Sequence, residues 1–335
     1  MVRRAKRIIA IGGGKGGVGK SLVASNLAVA FAQAGQRTVL IDADLGAANQ
    51  HTLFGFDRVH LSLQALFAKE VDDLDSLLLD VGVPNLSLVA GCGAIPGAAN
   101  IAHAQKQKLM RRIEGLDADV VVIDVGAGIA YNVVDLYTLA DLRVVVLLPQ
   151  LTSFQNAYAF LKAAVYRSIR DAAKKIGRQD LVDDLVPSSE TDRVEDTLAQ
   201  LERFDPHVAT MARRRVETFG AYLIGNQIIA PKDRGTLVAV SRMFHDFLSV
   251  DAKLLGNLRF NRLIADSINA RKPVLLSHPY DDCAQALVRC ADGLLAADVE
   301  ALRRQRESAD HAAEVAARPD SDDLVMDEIQ ALLSA

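Results

Sequence analysis

Cysteine is scarce in this 335-residue chain: Cys92, Cys283 and Cys290 stand far apart and are odd in number. Such a set builds neither a disulfide framework nor a zinc spacing, and it fits a reducing, cytoplasmic setting. No apolar run approaches the ~18 residues of a membrane span, so any membrane contact is expected to be peripheral. The basic start, Met1-Val2-Arg3-Arg4-Ala5-Lys6-Arg7, runs directly into a strand of about five apolar residues, too short for the apolar region of a signal peptide. A large charge excess is missing as well. The chain has 38 Lys and Arg against 42 Asp and Glu, a formal net charge of −4. The whole molecule therefore has no electrostatic drive toward nucleic acid, and only local patches could supply one. No internal repeat is evident.

What the chain does have is a dense glycine run. Residues 12–21 read Gly-Gly-Gly-Lys-Gly-Gly-Val-Gly-Lys-Ser, and Gly14, Gly19, Lys20 and Ser21 fit G-x-x-x-x-G-K-[ST], the phosphate-binding loop. Glycines let a backbone turn tightly and bring its N–H groups onto phosphate oxygens with no Cβ in the way. Lys20 supplies a cation for the β- and γ-phosphates, and the Ser21 hydroxyl joins a magnesium shell. Arg7 to Ile11 reads as a buried strand before the loop. Leu22 to Phe31 has helical spacing after it, which points a positive helix terminus at the anion. Two other readings stay open. Gly12, Gly14 and Gly17 also satisfy G-x-G-x-x-G with Asp42 as a ribose-binding acid, although that fingerprint does not call for Gly-Lys-Ser. The run could also be a turn without a ligand.

Further strands are expected at 36–41, 86–90, 120–123, 143–148, 221–229 and 254–258. Continuous apolar strands alternating with helices predict an α/β fold, a mostly parallel sheet covered by helices on both faces. In such a sheet the carboxyl ends of the strands face the ligand, which places Asp42 and Asp44 toward the phosphates. Val120-Val121-Val122-Ile123-Asp124 matches the second nucleotide motif, whose carboxylate holds a magnesium-bound water. A helix capped by Thr152 or Ser153 is expected after the fifth strand. The chain divides into 1–170 and 219–297, two parts of one nucleotide-binding domain, a charged helical insertion at 171–218, and a C-terminal helix with an acidic amphipathic tail at 298–335. In the insertion, Leu181, Leu185, Val194, Leu198, Leu201 and Phe204 recur at nearly helical spacing. Asp281 to Arg306 also reads as helical.

These residues resemble the MinD/ParA family of deviant-Walker P-loop ATPases over roughly 7–295. The deviant feature is Lys15, an extra lysine at the start of Lys15-Gly16-Gly17-Val18-Gly19-Lys20-Ser21. Within the family, Asp124-Val125-Gly126-Ala127-Gly128 is similar to the D-T-G-A-G of the FlhG (YlxH) branch of flagellar-number regulators. The resemblance implies an ATPase that uses ATP and Mg2+. Gly14, Lys15, Gly16, Gly17, Val18, Gly19, Lys20 and Ser21 match the nucleotide-binding loop. Lys15 matches the lysine that crosses a homodimer interface to the partner's nucleotide, Asp44 the aspartate that orients the attacking water, and Asn226 the asparagine that reads adenine. Ser21, Asp42 and Asp124 match the magnesium shell. Each also has a plainer reading: a solvated loop lysine for Lys15, a helix N-cap for Asp44, and turn chemistry for Asp124 and Asn226.

The function so implied is a dimerising switch that hydrolyses ATP slowly and positions or counts a cellular structure, with an activating protein partner. The alternatives are a nucleoid-bound partitioning ATPase and, further off, a P-loop biosynthetic enzyme. The first would grip non-specific DNA through Arg213-Arg214-Arg215 and Lys174-Lys175, which sit among Asp and Glu and equally suit a solvated helical face. The chain departs from the FlhG branch in starting at its first strand, without the segment that partners the flagellar GTPase. In its tail, Leu324, Val325, Ile329, Leu332 and Leu333 could form one apolar face, but Asp320, Asp322, Asp323, Asp327 and Glu328 surround it. An anionic bilayer would repel those charges, so docking on protein is the preferred expectation over membrane targeting. The related iron–sulfur branch needs two cysteines per subunit, and Cys92 is expected to be a buried thiol instead.

Overall fold

The computed structural model describes residues 5–92, 102–184 and 193–316. Its strands are β1 (Arg7–Gly12), β2 (Thr38–Ala43), β3 (Leu78–Asp80), β4 (Leu86–Val89), β5 (Val120–Val125), β6 (Leu142–Leu147), β7 (Ala221–Ile228) and β8 (Ala252–Arg259). They form one eight-stranded sheet in the order β3-β4-β2-β5-β1-β6-β7-β8. Every neighbouring pair is parallel except β3–β4.

The sequence dictates this layering. β2, β5 and β6 are buried along their whole length, as expected of apolar strands covered on both faces. Alternate residues go to opposite sides. Ile8, Ala10, Ile41, Val121, Ile123 and Val145 pack with Phe160, Leu161 and Val165. Ile9, Ile11, Leu40, Val122 and Val144 pack with Val23, Leu27, Phe31 and Leu287. The first of these layers includes the helix Leu151–Lys175, and the second the helices Lys20–Gln33 and Asp282–Leu295.

The expected strands are found with shifted ends. The edge strand β3 was not anticipated, because three residues of exposed and half-buried character carry no readable period. Neither Thr152 nor Ser153 caps the helix after β6, contrary to the expectation. Gln150 precedes the helix Leu151–Lys175 and makes no side-chain cap bond, while Ser153 Oγ accepts from the Leu148 N–H at 2.9 Å. That amide has just left β6, and the hydroxyl satisfies it.

Within 171–218 the chain forms the helices Gln179–Asp184, Val194–Phe204 and Pro206–Glu217. Val194, Leu198 and Leu201 are buried in the same cluster as the sheet. Phe204 departs from the expected apolar face and is 66% exposed, since its helix stops there and Asp205 caps the next, accepting from His207 and Val208. The helical stretch from Asp281 is two helices, Asp282–Leu295 and Val299–Ala316.

The second of these crosses the amino end of the sheet. Arg303 bonds both oxygens of the buried Asp141 at 2.9 and 2.7 Å and the Lys6 carbonyl at 2.8 Å, and Arg306 donates to the Thr218 carbonyl. Leu185, Pro187-Ser188-Ser189, most of the small-residue loop after β4 and the acidic tail lie outside the described residues. No described helix is long and apolar enough to cross a membrane.

Candidate nucleotide site

β1 ends at Gly12, and the chain turns through Gly19 into the helix Lys20–Gln33. Several points of the turn require glycine, Gly17 among them with φ at +80°. At Gly19 φ is +97°, and at Gly14 an added Cβ would lie 1.9 Å from the Asn156 carbonyl oxygen. Beside Gly16 and Gly17 a Cβ would meet nothing within 4 Å, so the loop is open on that side. The helix has no side-chain cap at its N-terminus, which leaves its first amides for an anion.

Lys20 lies under the loop, 7% exposed, with Nζ 3.5 Å from the Lys15 carbonyl oxygen. Burial pushes its ammonium pKa down, while Asp124 and Asp44 act the other way. The Lys15 side chain is exposed on the loop.

The carboxylates come from neighbouring strand ends. Asp42 and Asp124 are register partners in the parallel pair β2–β5. Asp42 Oδ2 accepts from the Asn49 and Gln50 N–H groups, both at 2.8 Å, and Oδ1 from the Asp44 N–H at 3.3 Å. Burial, with Asp124 beside it, pushes Asp42 up to about 7 despite those three amides. Asp124 is pushed up to about 6, first by burial and then by Asp44, with Gln50, Ser21 and Lys20 pulling it down. Its Oδ2 accepts from Gln50 Nε2 at 2.7 Å, and its buried Oδ1 has no hydrogen-bond partner.

Asp44 is half-buried, and a Cβ on Gly126 would lie 3.4 Å from its Oδ1. That oxygen accepts from the Gly46 and Ala47 amides at 3.3 and 3.0 Å, an Asx turn rather than a helix cap, since the next helix begins at Gln50. Asn226 lies within β7, not in a turn. Its Nδ2 donates to the Val18 carbonyl at 2.9 Å and occupies the space a Cβ on Gly19 would need, so it braces the loop from below.

Gln50 joins these parts and was not anticipated from the sequence. It is fully buried, and Nε2 donates to the Ser21 carbonyl at 3.0 Å as well as to Asp124. No motif marks it.

Among the described residues no cluster of three or more His, Cys, Asp or Glu could hold a metal. The donor set nonetheless suits magnesium, which keeps several waters and takes one or two carboxylates together with substrate phosphates. Ser21, Asp42 and Asp124 are the residues that would hold it, and the unpartnered Asp124 Oδ1 is free to accept from one of its waters.

Cys92, Cys283 and Cys290 are all buried. The basic clusters are engaged within the chain: Arg213 with Glu195 at 3.2 Å, Arg214 with Glu217 at 3.1 Å, and Arg215 and Lys175 with Asp310.

Residues 4–164 match a family model described as ParA, NUBPL iron-transfer P-loop NTPase. The antiactivator FleN of Pseudomonas aeruginosa is 34% identical over 158 residues, covering 47% of this chain and 55% of that protein. The flagellum site-determining protein YlxH of Helicobacter pylori is 32% identical over 158 residues, 47% of this chain and 53% of that one. Residues 4–164, just under half of the chain, are thus similar to ParA/MinD-type P-loop NTPases. The chain spans about half the length of the curated relatives it matches.

The solved structure of the septum site-determining protein MinD from Pyrococcus horikoshii, complexed with Mg-ADP, covers 86% of this chain and 95% of its own. It superposes with a TM-score of 0.58 at 19% identity, which shows a common fold. The matched stretch holds Lys15, Lys20, Ser21, Asp42, Asp44, Gln50 and Asp124, whereas Asn226, on β7 of the same sheet, lies beyond it.

Proposed function

We propose that this protein is an ATP-dependent dimerising switch that hydrolyses ATP slowly and positions or counts a cellular structure. The observation that carries the reading is the pairing of an uncapped helix start and a buried Lys20 with Asp124, whose second oxygen lacks a partner. Anionic phosphates fit the first two, and a cation-bound water fits the third. FleN and YlxH, by their names an antiactivator and a flagellum site-determining protein, suggest the class of task.

The leaving γ-phosphoryl group spreads negative charge and needs cations and a positioned water more than covalent help. Magnesium, when bound with the nucleotide, neutralises phosphate charge. The loop amides from Gly14 to Ser21 hold the phosphates. Lys20 places its ammonium against the β- and γ-oxygens. Asp44, at the open edge beside Gly126, orients the attacking water. Lys15, exposed on the loop, reaches the nucleotide of a second copy. Ile129, Tyr131, Leu151, Ile229 and Phe260, each more than half exposed, follow the carboxyl ends of β5 to β8 and supply apolar area for that second copy. Asn226 contacts adenine from the strand end where it now braces the loop.

The test is titration calorimetry of the full chain with Mg-ATP, followed by phosphate release. Wild-type protein is expected to bind and turn over slowly, Lys20→Ala to lose binding, and Asp44→Ala to bind but stall. Wild-type turnover in Asp44→Ala removes its role, and an absence of heat with the wild type removes the whole reading.

A further inference from the structure

We propose that Gln50 is a positioning residue of the nucleotide site, holding Asp124 and the start of the phosphate-binding helix to the Asp42–Asp44 segment and presenting its free amide oxygen to a magnesium-bound water. The inference rests on the nucleotide-site reading above.

Three contacts of one side chain and its own amide tie together parts that are distant in sequence. The Gln50 main-chain N–H donates to Asp42 Oδ2 at 2.8 Å, at the end of β2. Nε2 donates at once to Asp124 Oδ2 at 2.7 Å, at the end of β5, and to the Ser21 carbonyl at 3.0 Å, in the first turn of the helix. Both protons of the amide nitrogen are thus used. The orientation of the amide follows from chemistry. Turned over, its oxygen would face a carboxylate and a carbonyl, two acceptors with no proton between them.

The correctly turned amide leaves Oε1 buried and without a partner, as is Asp124 Oδ1. They belong to groups already in contact. Buried acceptors without donors are costly, and a water carried by magnesium is the donor that would satisfy both. Such a water would have its protons to donate, since its oxygen would be taken up by the metal. Residues that hold a metal's ligands from behind in this way usually change its affinity 10- to 100-fold when replaced.

The experiment measures ADP binding to the full chain by calorimetry, with MgCl2 and with chelator, for wild type, Gln50→Leu and Gln50→Met. Both substitutions keep the volume and remove the polar contacts, and Met also keeps the unbranched shape should Leu fail to fold. The expected result is ADP affinity without metal within about twofold of wild type, and a gain on adding magnesium that is smaller by about tenfold or more. A magnesium gain equal to that of wild type overturns the inference. So does an equal loss with and without metal, which would make Gln50 a scaffold residue only. Wild-type protein that binds no ADP overturns the nucleotide reading and takes this inference with it, whereas binding by wild type with the gain retained in the variants overturns this inference alone.

Discussion

Lys20 and Asp124 are ionisable groups placed where water is scarce, and each is shifted toward its neutral form by burial. The three thiols share that environment without a neighbouring cation strong enough to offset it. Burial raises Cys92 to about 11, with Asp42 adding to the shift, and raises Cys283 and Cys290 to about 12. Thiolate is the reactive form, so at pH 8 the folded protein should leave all three unmodified. A disulfide-exchange reagent is expected to titrate fewer than one thiol per chain natively, and all three in guanidinium.

The same residue scale shows what was readable beforehand. Gly14, Gly19, Lys20 and Ser21 lie within one short stretch of 14–21, so their spacing alone was enough to single them out. Gln50 acts on Ser21 and Asp124, 29 and 74 residues away, and local sequence does not encode those separations. Asn226 was noticed for its type, but its bond to Val18 crosses 208 residues and could not be foreseen.

Between elements, polar contacts do what the apolar stripes cannot: they fix one helix relative to another. Asp135, 2% exposed on the helix Tyr131–Leu139, pairs with Lys106 of His103–Glu114 and with Arg167 of Leu151–Lys175, the latter at 2.5 Å. Asp135→Ala leaves two cations facing each other in a largely dry position. It should cost about 3–5 kcal/mol, read as a lower urea midpoint at unchanged slope. A loss below 1 kcal/mol would mean that the cations swing out to water.

Exposed pairs behave differently. Asp119, held well below the usual carboxylate range by Arg37 and then Lys6, lies near the surface. Because its folded pKa is depressed, its contribution is present above the unfolded value of about 3.9 and is lost as pH falls below it. Asp119→Asn is therefore expected to cost at most about 1 kcal/mol between pH 5 and 8, with the gap to wild type closing below pH 4. Urea melts across that range check the sign. Strands and long helices were legible because their apolar periods are continuous. The edge strand β3 was too short to show a period, and the cap of Leu151–Lys175 depended on which amide Ser153 happens to meet.

At the scale of the whole molecule, the exposed Lys15 and the apolar side chains beyond β5 to β8 predict association that depends on nucleotide. Sedimentation with Mg-ATP should show Asp44→Ala at about twice the mass of the nucleotide-free chain. Adding Lys15→Ala should return it to single subunits without loss of nucleotide binding. A double variant that still pairs would remove Lys15 from the interface. Retention on DNA is not expected, since Arg213, Arg214 and Arg215 are bound to carboxylates of their own chain. Filter binding at low salt checks this.

The helix Val299–Ala316 carries one more consequence. Arg303 and Arg306 reach from it to Asp141, Lys6 and Thr218, while Arg7, at the start of β1, donates to the Leu294, Leu295 and Ala297 carbonyls just before it. A gene truncated at codon 298 would thus remove a clasp across the amino end of the sheet rather than trim an appendage, and a lower melting temperature is the expected result.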